Sequence, residues 1–67
     1  MNLDGFDNCL IGSTDQGILV YSKELIVIEV MNKSNLNYID SYEYCDYNIF
    51  QAYVGEQTPI FINEIEQ

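Results

Sequence analysis

The sequence lacks histidine, arginine and tryptophan, and it has only two lysines and one proline among 67 residues. Without histidine, cysteines, carboxylates and tyrosines are the remaining groups for acid–base or nucleophilic chemistry, and none of them is arranged as a base beside a nucleophile. The sequence also has no glycine-rich loop of the kind that binds phosphates. These absences predict a protein that is not an enzyme, with no catalytic residues and no cofactor.

Positive charge is almost absent. Eleven acidic residues stand against Lys23 and Lys33, which gives a formal net charge of −9. Repulsion disfavours direct binding to DNA, RNA or an anionic membrane, so the charge favours a partner with a basic surface. Two interpretations of the charge stay open: it keeps a small tyrosine-rich protein soluble, or it mimics a nucleic acid.

The two cysteines, Cys9 and Cys45, have no CxxC spacing, and residues 1–5 contain neither a basic start nor an apolar leader. This pattern predicts a reduced chain in the cytoplasm. Each cysteine lies in an apolar stretch, which favours a role as a small buried hydrophobic residue, and a disulfide between the two is the alternative. No apolar run approaches the roughly 20 residues that span a bilayer.

A folded core is nevertheless expected, because hydrophobic residues make up 48% of the chain and include six tyrosines and three phenylalanines. The length leaves room for one small acidic domain over residues 1–67.

The first half of the chain predicts a β-hairpin followed by a helix. Asn8–Gly12 and Ile18–Tyr21 are short apolar runs joined by a polar loop that has glycine at both ends. Ser22 is a good N-cap for a helix over Ser22–Lys33, with an acid in the first turn and a cation in the last. Its predicted apolar face comprises Leu25, Ile26, Ile28 and Val30 or Met31. A continuation of the preceding strand is the competing interpretation, since the segment is rich in β-branched residues.

The second half predicts a longer amphipathic helix and a third strand. Asn37 is the N-cap, and Asp40 stands three residues later as in a capping box. One helical face is predicted to comprise Tyr38, Tyr42, Cys45, Ile49 and Ala52. Gly55 is placed to end the helix, and Thr58–Ile62 follows as the third strand.

The order strand, strand, helix, helix, strand predicts an α+β fold of two layers, in which two helices cover one face of a three-stranded, mostly antiparallel sheet. The last strand then pairs with one of the first two, so closure of the core depends on the C-terminal part of the chain.

Two sequence motifs are the main basis of a resemblance to a protein family, and this resemblance covers nearly the whole chain. The chain opens with Asp-Gly-Phe at residues 4–6 and closes with Ala-Tyr-Val-Gly-Glu-x-Thr-Pro-Ile-Phe at residues 52–61. In these it resembles a family of small, acidic, mostly uncharacterised phage and bacterial proteins. The resemblance implies a phage-related origin, and small acidic phage proteins often bind and block host enzymes, including restriction and CRISPR nucleases. It carries over no catalytic residues.

The second helix has more aromatic residues than one buried face can hold. These are Tyr38, Tyr42, Tyr44, Tyr47, Phe50 and Tyr53. Some rings are therefore expected beside its acidic residues, where tyrosine is favoured in interfaces; the alternative has all the rings wrapping the core with their hydroxyls in water. The candidate partner-binding residues are Asp40, Glu43, Tyr44, Asp46, Tyr47 and Asn48.

Metal binding is not predicted. Asp4, Asp7 and Asn8 offer oxygen ligands, but the regular series of a calcium-binding loop is missing, and a capped N-terminal turn is the favoured interpretation. Two cysteines without histidine leave a zinc site short of ligands.

The sequence thus predicts a binding protein that engages a host protein in the bacterial cytoplasm and inhibits or redirects it through an acidic, tyrosine-rich surface. The alternative is a structural or assembly subunit that self-associates, as a homodimer or larger, through a strand edge or the helix face.

Overall fold

The computed structural model describes residues 5–52 and 58–64. In these residues the elements follow in the predicted order: strands β1 (Leu10–Ser13) and β2 (Leu19–Ser22), helices α1 (Lys23–Ser34) and α2 (Tyr38–Cys45), and strand β3 (Ile60–Ile62). A 3-10 turn, Asp7–Cys9, precedes β1, and a π-helical turn, Asp46–Phe50, continues α2. The α+β fold is confirmed.

Strands β1 and β2 form an antiparallel hairpin, with Leu10 opposite Tyr21 and Ser13 opposite Leu19. A bulge interrupts the register between Leu10 and Gly12. Gly12 therefore lies in the strand and not at the start of the loop. The loop is closed by Thr14, whose N–H donates to the Ile18 carbonyl oxygen at 2.8 Å.

The sheet is mixed, and this corrects the expectation of a mostly antiparallel one. Strand β2 lies in the centre, and β3 pairs with it in parallel, with Tyr21 opposite Phe61. Parallel neighbours need a long crossover connection, and residues 23–59, which include both helices, provide it.

Helix α1 begins as predicted, because the Ser22 Oγ accepts a hydrogen bond from the Leu25 N–H at 3.2 Å. It ends at Asn35, which takes the left-handed conformation with φ of 61°. The alternative of a continuing strand is wrong.

The buried face of α1 differs from the predicted one. Ile26, Val27 and Val30 are buried, whereas Leu25 and Ile28 are exposed. At 100° per residue Leu25 and Ile28 fall on the side of the helix opposite Val30, so a narrow stripe meets the core and the other apolar residues remain outside.

Part of the predicted face of helix α2 is confirmed, since Cys45 and Ile49 are buried. Its cap is as predicted, since the Asn37 Oδ1 accepts from the Asp40 N–H at 2.8 Å. The buried residues are Ser41, Cys45 and Ile49, while Tyr38 and Ala52 are exposed. The prediction from the sequence did not include Ser41 in the buried face, because serine is not apolar.

The helical path ends earlier than the sequence suggested. In the π-helical turn the Gln51 N–H donates to the Asp46 carbonyl oxygen at 3.0 Å, and a turn at residues 51–52 follows, so Ala52 no longer lies on a helix face. The predicted stop at Gly55 lies outside the described residues.

Ser41 fixes α2 against α1. Its hydroxyl is fully buried and donates to the Val27 carbonyl oxygen at 2.8 Å. A small side chain here lets the two backbones approach, and the hydrogen bond removes the cost of burying a hydroxyl.

Aromatic rings connect α2 with the sheet. Successive ring centroids lie 5.2–6.3 Å apart in the order Tyr38, Tyr42, Phe50, Phe61 and Tyr21. We call these five residues the ring chain. It joins β2, β3, α2 and the π-helical turn, so β3 closes the core by adding Phe61 between Phe50 and Tyr21.

Replacing Ser41 tests this helix contact. Ser41→Ala loses one hydrogen bond and should lower the free energy of unfolding by about 1 kcal/mol. Ser41→Val also forces two methyl groups between the helices and should cost about 1–3 kcal/mol more. Urea unfolding measures both, and a valine variant as stable as the alanine variant would show that the helices are not in close contact at this point.

Candidate functional site

The outward side of α2 and the π-helical turn presents two rows of side chains four residues apart. One row is Ile39, Glu43 and Tyr47, and the other is Asp40, Tyr44 and Asn48. Residues four apart are neighbours on a helical surface, so each row places a carboxylate beside a tyrosine ring. All six are exposed, and we call them the acidic–aromatic face.

The exposure of the apolar members is large. Tyr47 is 78% exposed, Ile39 69% and Tyr44 50%. The ring chain takes up Tyr42 and Phe50, and within the described residues neither Tyr44 nor Tyr47 contacts another aromatic ring. Among the described residues, these two tyrosines are therefore the aromatic surplus outside the ring chain, and Tyr53 lies outside the described residues.

Five of the six residues singled out from the sequence lie together on this face: Asp40, Glu43, Tyr44, Tyr47 and Asn48. Asn48 is held along the helix, since its Nδ2 donates to the Tyr44 carbonyl oxygen at 3.0 Å. Asp46 does not belong to the face. It is half-buried, and its Oδ2 accepts from the Gln51 Nε2 at 2.9 Å, next to the end of the helical path.

Sequence reasoning missed Ile39. An apolar residue at the start of an amphipathic helix is ordinarily assigned to the core. The signal that could have found it is its spacing, because Ile39 stands four residues before Glu43 and eight before Tyr47 on the row opposite the buried residues.

Both positive side chains of the sequence are engaged away from this face. The Lys23 ammonium lies 5.2 Å from the centre of the Phe50 ring, and that of Lys33 lies 5.4 Å from the centre of the Phe6 ring. Lys33 also pairs with Glu29 at 3.4 Å and donates to the Gly5 carbonyl oxygen. The negative charges of Asp40 and Glu43 are thus left without a lysine of the chain to neutralise them.

A hydrogen bond links the first residue of α2 to α1. The Tyr38 hydroxyl donates to the Glu24 Oε2 at 2.7 Å. This bond raises the pKa of Tyr38, because removing the proton would place two negative charges side by side. Tyr38 therefore stays a neutral donor, and its hydrogen bond with Glu24 links the two helices.

The cysteines are buried, free thiols in the same core. Burial raises the pKa of Cys9 and Cys45, and the carboxylate of Glu29 raises that of Cys9 further. A hydrogen bond with Ser41 opposes the shift at Cys45. Neither has the exposed, electropositive surroundings that activate a nucleophilic thiol.

Neither a metal site nor a membrane-spanning helix is found in the part of the chain that the structure describes. Asp7 and Asn8 lie in the 3-10 turn before β1, and Asp4 falls outside the described residues. Residues 5–52 and 58–64 hold no group of three or more cysteines and carboxylates placed to bind a metal ion. Among the same residues, no helix has the length and apolar character to cross a membrane.

Thiol reactivity tests the environment of the cysteines. In the folded protein, a thiol reagent such as a nitrophenyl disulfide should modify Cys9 and Cys45 at least about a hundredfold more slowly than in 6 M urea, because reaction requires opening of the core. Absorbance of the released thiolate follows both reactions. Fast modification of one cysteine in the native protein would mean that it is accessible and open to chemistry.

Comparisons of the chain with protein-family models, with curated proteins and with solved structures gave no match. The phage-protein resemblance therefore stays an expectation from the motifs.

Proposed function

We propose that this protein is a non-enzymatic, phage-type binding protein. It engages a host protein that has a basic surface and inhibits or redirects it. The contact is made by the acidic–aromatic face, and the partner class that fits best is a nucleic-acid-binding or defence enzyme such as a CRISPR or restriction nuclease, in the cytoplasm of a bacterial host.

The observation that carries the proposal is the exposure of Tyr44 and Tyr47 beside the exposed carboxylates of Asp40 and Glu43. A small domain gains stability by burying aromatic rings, so rings left in water contribute little to its fold. Tyrosine is enriched at the centres of interfaces because it provides a large, rigid contact area and a hydroxyl.

The charge supports a basic protein as the partner. With −9 on 67 residues, the chain repels nucleic acid and is attracted to the positive grooves with which enzymes hold nucleic acid. Occupying such a groove would block the enzyme without any chemistry by the inhibitor. The resemblance to small phage proteins favours the same class of target.

A matched pair of charge variants tests the proposal. Asp40→Asn with Glu43→Gln removes two charges from the face, and Asp15→Asn with Glu64→Gln removes two exposed charges elsewhere. Each variant should keep the fold and the same net charge as the other. Immobilised protein is incubated with a bacterial lysate at about 0.1 M salt, and bound proteins are identified by mass spectrometry.

We expect a basic host protein that binds the wild type and the Asp15/Glu64 variant and is at least about tenfold depleted with the Asp40/Glu43 variant, since close charge pairs at an interface are worth more than 1 kcal/mol. Identical sets of proteins captured by both variants would contradict the proposal.

Self-association is the second candidate function, and one observation favours it. All four residues of β1 are exposed, none is charged, and β1 pairs on one side only within the described residues. An uncharged strand edge can pair with a second copy while the acidic residues stay apart.

Light scattering tests this alternative. A subunit that assembles through β1 should double its molar mass as its concentration rises from micromolar to millimolar, and Ile11→Lys, which places a charge on the exposed strand, should shift the midpoint at least about tenfold higher. A constant monomer mass would leave the binding protein as the one candidate.

A further inference from the structure

We infer that the acidic–aromatic face recognises arginine side chains, and not positive charge in general. The inference rests on the proposed function and specifies the chemistry of its partner: a helical segment that carries two arginines three or four residues apart.

The arrangement of side chains is the first ground. Asp40 with Tyr44 and Glu43 with Tyr47 are each separated by four residues, so each carboxylate neighbours one exposed ring. A guanidinium is planar and has donors along its edge. It can lie flat on a tyrosine ring while that edge donates to the adjacent carboxylate. The compact ammonium of lysine has no plane to stack on the ring in this way.

The chain's own lysines are the second ground. Both lie over aromatic rings, Lys23 over Phe50 and Lys33 over Phe6. Cations and rings therefore already pair in this molecule, and its two lysines lie on rings other than Tyr44 and Tyr47. Because the sequence has no other lysine or arginine, a further cationic side chain for those two rings has to come from another molecule.

The spacing of the two pairs gives the spacing of the arginines. The Asp40–Tyr44 pair precedes the Glu43–Tyr47 pair by three residues, which is a rise of roughly 4.5 Å along a helix. Two arginines three or four residues apart on a partner helix are separated by a similar distance on one face. Ile39, 69% exposed at the start of the row that contains Glu43 and Tyr47, offers an apolar contact next to the second pair.

Three peptides test the inference. Each is a blocked, alanine-rich helix of about 20 residues with two cations and no acid: arginines four residues apart, lysines four residues apart, or arginines two residues apart. The third places its charges on different sides of the helix. Each is titrated into the isotope-labelled full chain at low salt, and backbone amide shifts of residues 39–48 are followed by NMR.

The first peptide should bind at least about fivefold more tightly than either of the others, since stacking on two exposed rings adds to the charge attraction. Tyr44→Leu with Tyr47→Leu keeps the charge and should abolish this preference. Tyr38→Phe, which changes an aromatic hydroxyl outside the two rows, is the control and should leave the preference intact. Unchanged amide spectra elsewhere show that each variant is folded.

Equal binding of the arginine and lysine peptides would overturn the inference, as would an arginine preference that survives the double leucine variant. Absence of binding by all three at millimolar concentration would overturn it too. None of these results decides the proposed function. That function is tested by the capture of proteins from a lysate with the matched charge variants.

Discussion

The close contact between α1 and α2 is the constraint from which the exposed surface follows. Ser41 donates to the Val27 carbonyl oxygen from a fully buried position, and this contact sets which side of α2 faces the core. With Ser41, Cys45 and Ile49 on that side, the ring chain reaches the sheet along one flank through Tyr42 and Phe50. No inward position remains for Tyr44 or Tyr47, so a packing requirement of the core determines which rings meet solvent.

Charge and aromatic surface act together on this helix. Exposed rings on a protein of this size invite aggregation, and neighbouring carboxylates oppose it by repulsion between copies. The same carboxylates would attract the cationic partner that we propose, so the two interpretations of the net charge, solubility and attraction of a nucleic-acid-binding protein, are compatible. The chain's two lysines are held on phenylalanine rings and do not cancel the charge of the face.

Local signals in the sequence predicted the order of the elements. They did not predict the buried faces of the helices or the pairing of β3, which depend on tertiary packing. Ser22 and Asn37 cap their helices through side-chain hydrogen bonds made within four residues. Because these bonds are local, the sequence was sufficient to predict where the helices begin. The buried faces of the helices were harder to predict, because they depend on what each helix contacts. Ser41 is buried for its small size, whereas Leu25 and Ile28 are exposed despite being apolar.

The parallel pairing of β3 follows from the path of the intervening helices, and no pattern in residues 58–62 indicates it. Five of the six predicted partner-binding residues share one face, since spacing on a helix is local, whereas Asp46 is half-buried and accepts a hydrogen bond from the Gln51 side chain.

The position of the face on the capped helix α2 and the π-helical turn that continues it has a consequence for binding. Rotation about the backbone is already frozen on α2, and Asn48 is hydrogen-bonded to the Tyr44 carbonyl oxygen, so binding a partner would order few additional groups. Tyrosine loses little side-chain freedom compared with a long flexible residue, and its ring is the part that a guanidinium would meet. A domain this small can offer only a limited contact area, and its affinity must therefore come from a few preorganised, strongly directional contacts rather than from the area buried. Paired carboxylates and rings on α2 and the π-helical turn would meet that requirement, which is the physical reason for proposing recognition by this face rather than by strand β1, which has no charged residue.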